Sequence, residues 1–320
     1  MQLEQIGFYT LSDDRAKTIS EHSPIMRAEL IITDKCNFKC LYCRGLKKEL
    51  QGTQAAKTIE STLDILFSHK LTNVRFSGGE PTLHPDLPRF IELCRKNGVK
   101  RIAISTNGSA NMDYYERLVE LGVNDFSISL DSGCCSVGEK MAGGIPQSWD
   151  RASRAIRELS KLTYVTVGMV FNEANLADAL DAVKYAQSLN PADIRIISSA
   201  QYNDAIPVVA NIPLNGGMPI LKYRINNYRQ NINIRGIGEE DTNKCPLVLD
   251  DLAIANDFHF PCIIHMREGG DPVGKMTADF RKERRAWYEA HDTHSDSICK
   301  QNCLDVCRDF NNKVRDCRCL

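Results

Sequence analysis

The stretch Glu29-Leu-Ile-Ile-Thr33-Asp-Lys-Cys36-Asn-Phe-Lys-Cys40-Leu-Tyr-Cys43 decides the fold. Its opening residues are a short β-branched run, the pattern of a strand buried on both faces. The run leads directly into three cysteines spaced by four and three residues. Working outward, similar runs recur at Asn73–Ser77, Arg101–Ser105, Asp125–Leu130, Tyr164–Val170 and Asp193–Ser199. Helical periods lie between them. Asp86 is placed to cap a helix with Phe90, Ile91 and Cys94 on one face and Gly98 as its stop. Asp113 is placed to cap the next, with Leu118, Val119 and Leu121 apolar and Gly122 ending it. Six βα units in sequence predict an α/β fold, either an open doubly wound sheet or a partial barrel. In both, the loops at the C-terminal strand ends carry the chemistry.

The 320 residues have room for about two domains. Forty Lys+Arg against 41 Asp+Glu give a net charge of −1, so no global basic field exists to hold nucleic acid non-specifically. Apolar stretches such as Tyr164–Phe171 fall far short of the ~20 residues of a membrane helix. Met1–Gln5 has neither the basic nor the apolar region of a secretory signal, so a cytoplasmic protein without a membrane partner is expected. Pro207, Pro213, Gly216, Gly217 and Pro219 break the pattern. The expected division is an N-terminal extension (1–28), the βα units (29–205), a linker or bridging segment (206–240) and a cysteine-rich domain (241–320).

Thirteen cysteines in a chain of this kind point to metal ligation or redox chemistry rather than disulfides. Cys36, Cys40 and Cys43, in a strand-to-helix loop, can converge on one face of a [4Fe–4S] cube and leave the fourth iron open to a ligand. The bland alternative is zinc, which wants a fourth protein ligand. His22 lies before the first strand and has no special spacing.

The Cys-x3-Cys-x-aromatic-Cys pattern, with Tyr42 as its aromatic residue, resembles the signature of the radical SAM superfamily. Gly78-Gly79-Glu80-Pro81 ends the second strand run, like the family's GGE motif, which receives the amino group of S-adenosylmethionine (SAM). There the glycines would let the backbone approach the ligand, and Glu80 would supply a counter-charge. Ser105-Thr106-Asn107-Gly108 matches the TNG element, and Ser127-Ile-Ser129-Leu-Asp131 is similar to the SLD element, whose serine contacts SAM. Arg195 is a further candidate, as a carboxylate partner. The resemblance covers residues 28–200 and implies a partial (β/α)6 TIM-type barrel. It also implies that Cys36, Cys40 and Cys43 hold a SAM-binding [4Fe–4S] cluster. Tyr42, Gly78, Gly79, Glu80, Pro81, Ser105, Asn107, Ser129 and Arg195 would then form the SAM site.

Cys245 and Cys262 flank Leu252–His259, a hairpin with Asn256-Asp257 as its turn. Cys299, Cys303 and Cys307 follow at spacings that place them on one helical face. This half resembles the Twitch and SPASM auxiliary-cluster domains, small cysteine-rich α+β units. The full SPASM ending is absent, which implies one auxiliary iron–sulfur cluster, of [4Fe–4S] type, on Cys245, Cys262 and two of Cys299, Cys303 and Cys307. Cys317 and Cys319 would complete a second cluster or form a frayed tail. Cys134 and Cys135, after the fourth strand run, are candidate hydrogen-atom donors or simply small buried hydrophobes. Cys94 reads as core, His84 and His265 as structural histidines, and Lys282–Arg285 as a solvated helix face.

Together these features imply a radical SAM enzyme that takes a hydrogen atom from an amino-acid-like moiety, to epimerise, rearrange, cross-link or oxidise it. Its electrons would come from a flavodoxin- or ferredoxin-type donor. A peptide substrate would need direct binding or a separate recognition protein, because only about 28 residues precede the first strand. Gly7–Asp14 with Leu30–Gly45 is also similar to radical SAM proteins of phage genomes, some linked to hypermodified thymidine. That resemblance implies an amino-acid-modified nucleotide or DNA base. Dehydrogenation of a small-molecule alcohol such as an aminocyclitol is the alternative within the superfamily. A non-enzymatic, zinc-stabilised binding module is the alternative outside it.

Overall fold

The computed structural model describes residues 1–198, 208–214 and 216–318. All six apolar runs form strands: β1 (Arg27–Thr33), β2 (Asn73–Gly78), β3 (Arg101–Thr106), β4 (Asp125–Ser129), β5 (Tyr164–Phe171) and β6 (Asp193–Ser198). From β1 to β6, consecutive strands pair in parallel. Side chains alternate across the sheet, as the pleat requires. Ala28, Leu30 and Ile32 of β1, with Phe76, Ile104, Phe126, Val167 and Ile196 of the other strands, join the main hydrophobic core. That core also takes Ile59 and Leu63, Phe90 and Ile91, Leu118, Ile156 and Val183 from the covering helices. Each fully buried side chain of this size contributes about 1.5–3 kcal/mol. The alternate positions, among them Glu29, Arg75, Ser127 and Thr166, are buried but polar. The result is a partial (β/α)6 barrel of TIM type, with a polar interior and a small cysteine-rich C-terminal unit.

Helix ends follow the sequence with one shift. Asp86 stands at the N-cap position of Leu87–Lys96. The next helix, Met112–Leu121, starts from Asn111, two residues before the expected Asp113. Gly98 and Gly122 take the positive φ values, 75° and 131°, that end these helices.

The segment expected as a linker carries a helix, Pro219–Arg229. Its exposed N-terminal N–H groups find a remote acceptor, with Ile220 N and Leu221 N donating to the Asp193 carboxylate of β6 at 3.0 and 3.2 Å. No local cap announces this helix, because its cap comes from another strand.

The hairpin forms as β7 (Asp251–Ala255) and β8 (Phe258–Phe260), with Asn256 in the left-handed region at φ 54°. It does not stand apart from the barrel. β7 pairs in parallel with β1 from Arg27↔Asp251 to Ile31↔Ala255, so one sheet runs through both cysteine-bearing regions. The short β9 (Gly274–Lys275) closes its far edge.

Two expectations for the C-terminal unit fail. The Lys282–Arg285 run is not a solvated face, because Arg284 is wholly buried. It donates to the carbonyls of Val248, Asp251, Phe260 and Pro261, which are too deep to reach water. Cys299, Cys303 and Cys307 do not share one helix either. Ser297–Asn302 ends at Cys303, and a second helix starts at Asp305. The break frees backbone for the 234–236 segment, with Gly236 N donating to Cys303 O at 2.9 Å and Asp305 N to Ile234 O at 2.8 Å.

His259, on β8, is fully buried, and burial with Arg284 beside it pushes its pKa down to about 3. It is therefore neutral in the fold, with Nδ1 accepting from Arg284 and Nε2 facing Glu283 at 3.0 Å. The unfolded chain takes up a proton near pH 6.5 and the folded chain does not. Stability should be full above that pH and fall as pH drops towards 3. Urea unfolding at pH 7 and pH 5 will show the loss, and His259→Gln should flatten that part of the profile.

Candidate active site

The cysteine loop is held on both sides by backbone. Gly79 N donates to Thr33 O and Glu80 N to Lys35 O, both at 2.8 Å. On the other side, Lys39 N and Leu41 N donate to Ala142 O and Met141 O at 3.0 and 3.1 Å, at the end of the helix Cys135–Met141. The tight approach explains the paired glycines. A Cβ at Gly78 would collide with Thr33 O, and one at Gly79 with Lys35 O and Asp34 O. Their missing side chains make room for the cysteine loop.

Glu80 likewise serves the chain itself. It is fully buried and does not line the cavity. Its Oε1 accepts from Thr82 N at 3.0 Å, Thr82 Oγ1 at 2.7 Å and Thr106 Oγ1 at 2.8 Å. Its Oε2 accepts from Asn107 N at 2.7 Å. Burial pushes this carboxyl upward while the hydrogen bonds pull it back. These hydrogen bonds also make the Glu80 carboxylate a weld between the ends of β2 and β3.

Around this frame lies a cavity of about 310 Å³ at the C-terminal ends of the strands. Cys36, Cys40, Cys43, Tyr42, Gly78, Gly79, Ser105, Asn107, Ser129 and Arg195 all line it. Pro81, itself buried, begins the short helical turn that follows Glu80. Cys134 and Cys135 lie at the start of the Cys135–Met141 helix, outside the lining residues. Asp131, Trp149 and Arg267, absent from the sequence-derived site, also line it. Asp131 was legible as the end of the fourth-strand element. Trp149, stacked on Tyr185, and Arg267 had no motif to mark them.

Asp131 accepts from Tyr42 Oη at 2.6 Å and Val170 N at 2.8 Å. Burial raises its pKa to about 6. Burial also pushes the Cys40 thiol up to about 12, with Asp131, Cys36 and Cys43 adding to the effect. Thiols so placed ionise readily only against a cation. Arg195 donates to Ser127 Oγ at 3.1 Å, while its buried Nε has no partner among the described residues. Burial and the neighbouring Arg75 lower its pKa to about 10. A cavity with three thiols on one wall and an under-used guanidinium on another fits a thiolate-held cluster and a carboxylate-bearing ligand.

Cys245, Cys262, Cys299, Cys303 and Cys307 line a second cavity. Cys262 Sγ accepts from His265 N at 3.3 Å, and Asn311 Nδ2 lies 3.6 Å from Cys245 Sγ. Cys317 is half-buried and outside that lining, and Cys319 lies outside the described residues. A tetrahedral zinc with Zn–S near 2.3 Å holds its sulfurs about 3.8 Å apart. Among the described residues, only His291, Asp296 and Cys299 form a ligand trio within 4.8 Å of one another. No trio of cysteines among the described residues lies within that spacing. His84 and His265 are structural: His84 faces Gln54 O at 2.9 Å and His265 faces Asp296 at 3.2 Å.

The radical SAM superfamily profile matches residues 30–186, the span that supplies most of this cavity's lining. These residues are a radical SAM domain. It is an enzyme domain, and its cofactors are a [4Fe–4S] cluster and SAM. A "Probable GTP 3′,8-cyclase" of Methanococcus maripaludis is 34% identical over 109 residues, 32% of this chain and 35% of that protein. GTP 3′,8-cyclase 1 of Mycobacterium tuberculosis is 26% identical over 182 residues, 52% of this chain and 49% of that protein. The chain thus spans about half or less of the length of these relatives. Native anSMEcpe with bound AdoMet superposes with TM-score 0.61 and 15% identity, over 91% of this chain and 94% of that one. SuiB of Streptococcus suis, bound to precursor peptide SuiA, gives TM-score 0.60 and 15% identity over 84% and 65%. At that identity the likeness is one of fold. No helix among the described residues is long and apolar enough to cross a membrane.

Glu80→Gln puts an amide N–H where Thr106, Thr82 or Asn107 already donates. The radical SAM domain should lose about 1–3 kcal/mol of stability. Equilibrium unfolding in urea measures it, and an unchanged midpoint would remove Glu80 from the frame.

Proposed function

We propose that the chain cleaves SAM reductively and uses the product to take a hydrogen atom from an amino-acid-like moiety, in a peptide or an amino-acid-modified nucleobase. The observation that carries this reading is the single cavity lined by Cys36, Cys40, Cys43, Ser105, Asn107, Ser129 and Arg195. Cys36, Cys40 and Cys43 would hold the SAM cluster, and Cys245, Cys262 and two of Cys299, Cys303 and Cys307 the auxiliary one. When bound, the cluster and SAM supply a 5′-deoxyadenosyl radical and methionine, with one electron from a flavodoxin- or ferredoxin-type donor.

The protein's own part is holding and screening. Gly78 and Gly79 present backbone to the ligand and seat the cysteine loop. Ser129 is the exposed residue of β4 and opens towards the cavity. Arg195, which lines the cavity, would offer its guanidinium to the SAM carboxylate. Trp149 walls one side, its Nε1 donating to Ser132 O at 3.0 Å. The amino-acid-like substrate draws support from the fold neighbours, three of which were solved with peptides bound. Cys134 and Cys135 remain candidates for returning a hydrogen atom, provided substrate reaches beyond the lining.

After anaerobic reconstitution the native chain should hold about eight irons, and a Cys36/Cys40/Cys43→Ala variant about four. Cys40→Ala should reduce 5′-deoxyadenosine formation under dithionite to background. Retained formation would sink the assignment, and zinc in place of iron at the C-terminal set would make that unit structural.

A further inference from the structure

Five thiols line the C-terminal cavity: Cys245, Cys262, Cys299, Cys303 and Cys307. A four-iron cube takes one thiolate per iron, so one of them is left over. Among the described residues, Cys299 is the one of the five that belongs to a trio of closely spaced ligand atoms. Its Sγ lies 3.7 Å from His291 Nε2, and that nitrogen lies 3.4 Å from Asp296 Oδ2. Neither His291 nor Asp296 lines the cavity, so the trio stands at its flank.

These separations are those of a metal site. Zinc holds nitrogen and oxygen at about 2.0 Å and sulfur at about 2.3 Å, so a tetrahedral ion sets its nitrogen about 3.3 Å from the oxygen and about 3.6 Å from the sulfur. The observed 3.4 and 3.7 Å match those two edges. Hydrogen bonding alone uses the arrangement poorly. Nε2 carries one proton at most, so it can answer the carboxylate or the thiol but not both. The carboxylate oxygen is also shared, for His265 Nε2 faces it at 3.2 Å. A divalent cation answers imidazole, carboxylate and thiolate together, and its two charges cancel those of the two anions.

The three ligands are oriented from outside. Asp296 Oδ1 accepts from Ile298 N at 2.7 Å and Cys299 N at 2.9 Å, which leaves Oδ2 turned to the histidines. The His291 ring stacks on Trp287, with centroids 3.8 Å apart. Lys244 Nζ donates to the carbonyls of Glu289 and His291 at 2.7 and 2.9 Å, fixing the backbone where the helix Phe280–Ala290 ends. Ligands held this way lose little freedom when a metal arrives.

We propose that His291, Asp296 and Cys299 hold a single zinc ion, separate from the auxiliary cluster, with water in the fourth position. The cluster then falls to Cys245, Cys262, Cys303 and Cys307, a choice that rests on the functional reading above and narrows it. Binding releases the Cys299 proton to solvent. The ion ties the end of the helix Phe280–Ala290 to the helix Ser297–Asn302, whose C-terminal end carries Cys303.

The test uses holoenzyme reconstituted anaerobically, equilibrated with zinc sulfate, desalted and analysed for both metals. The native chain should hold about eight irons and about one zinc. Cys299→Ala should lose the zinc and keep its iron. His291→Phe, which preserves the stack on Trp287, should do the same. Retained iron also reports that each variant has folded. X-ray absorption at the zinc edge of the native protein needs no variant, and should show one sulfur at about 2.3 Å among nitrogen and oxygen ligands. Three or four sulfurs around the zinc, no zinc in the native holoenzyme, or zinc kept by both variants overturns the inference. Loss of about four irons from Cys299→Ala but not from His291→Phe also overturns it, by making Cys299 a cluster ligand. The auxiliary cluster fails separately, in a native chain with only about four irons, whether or not zinc stays on the trio.

Discussion

Arg284 has no exposed surface, and its guanidinium is surrounded by backbone. It donates to Val248 O, Asp251 O, Phe260 O and Pro261 O and to the ring of His259. These acceptors belong to the turn after Cys245 and to the hairpin before Cys262. One side chain therefore sets the spacing of two thiols separated by sixteen intervening residues in the chain. Hydrogen bonds to a charged donor are about twice as strong as neutral ones, which offsets the cost of burying the charge. Arg281 repeats the device, donating to Ser20 O, Glu21 O and Ser23 O and tying the N-terminal extension to the same helix.

On the barrel side an anion does the corresponding work. Glu80 gathers donors from the turn after β2 and the turn after β3. Gly78 and Gly79 then allow the cysteine loop to lie against that weld. Two buried charges of opposite sign thus fix the two cysteine-bearing regions, each by saturating backbone and hydroxyl groups rather than by meeting an ion of opposite charge. The overall near-neutral charge gives no hint of either.

Much of this was legible. The six strands announce themselves because each is short, β-branched and followed by a helical period, and the motif residues at their ends are local in sequence. What escaped was settled at a distance. The helix Pro219–Arg229 has no cap of its own, because Asp193 supplies it. The break at Cys303 follows from pairing with the 234–236 segment, which periodicity cannot reveal. Arg284 sits in a run that reads as solvent-facing, since nothing local distinguishes it from Arg285. Arg267 reaches the cavity at the strand ends from a segment with no motif, and an arginine-lined cavity beside it exists only once residues 44, 235 and 267 meet.

The pairing of β7 with β1 gives the C-terminal unit a protective duty. β1 lies between β2 and β7, so both of its backbone edges are satisfied. A chain cut before residue 251 would leave the flat, apolar edge of β1 open along the run Arg27–Ile31. Such an edge is a template for intermolecular strand addition. The cysteine-rich unit therefore acts as a guard against self-association of the barrel, a service independent of any metal it holds.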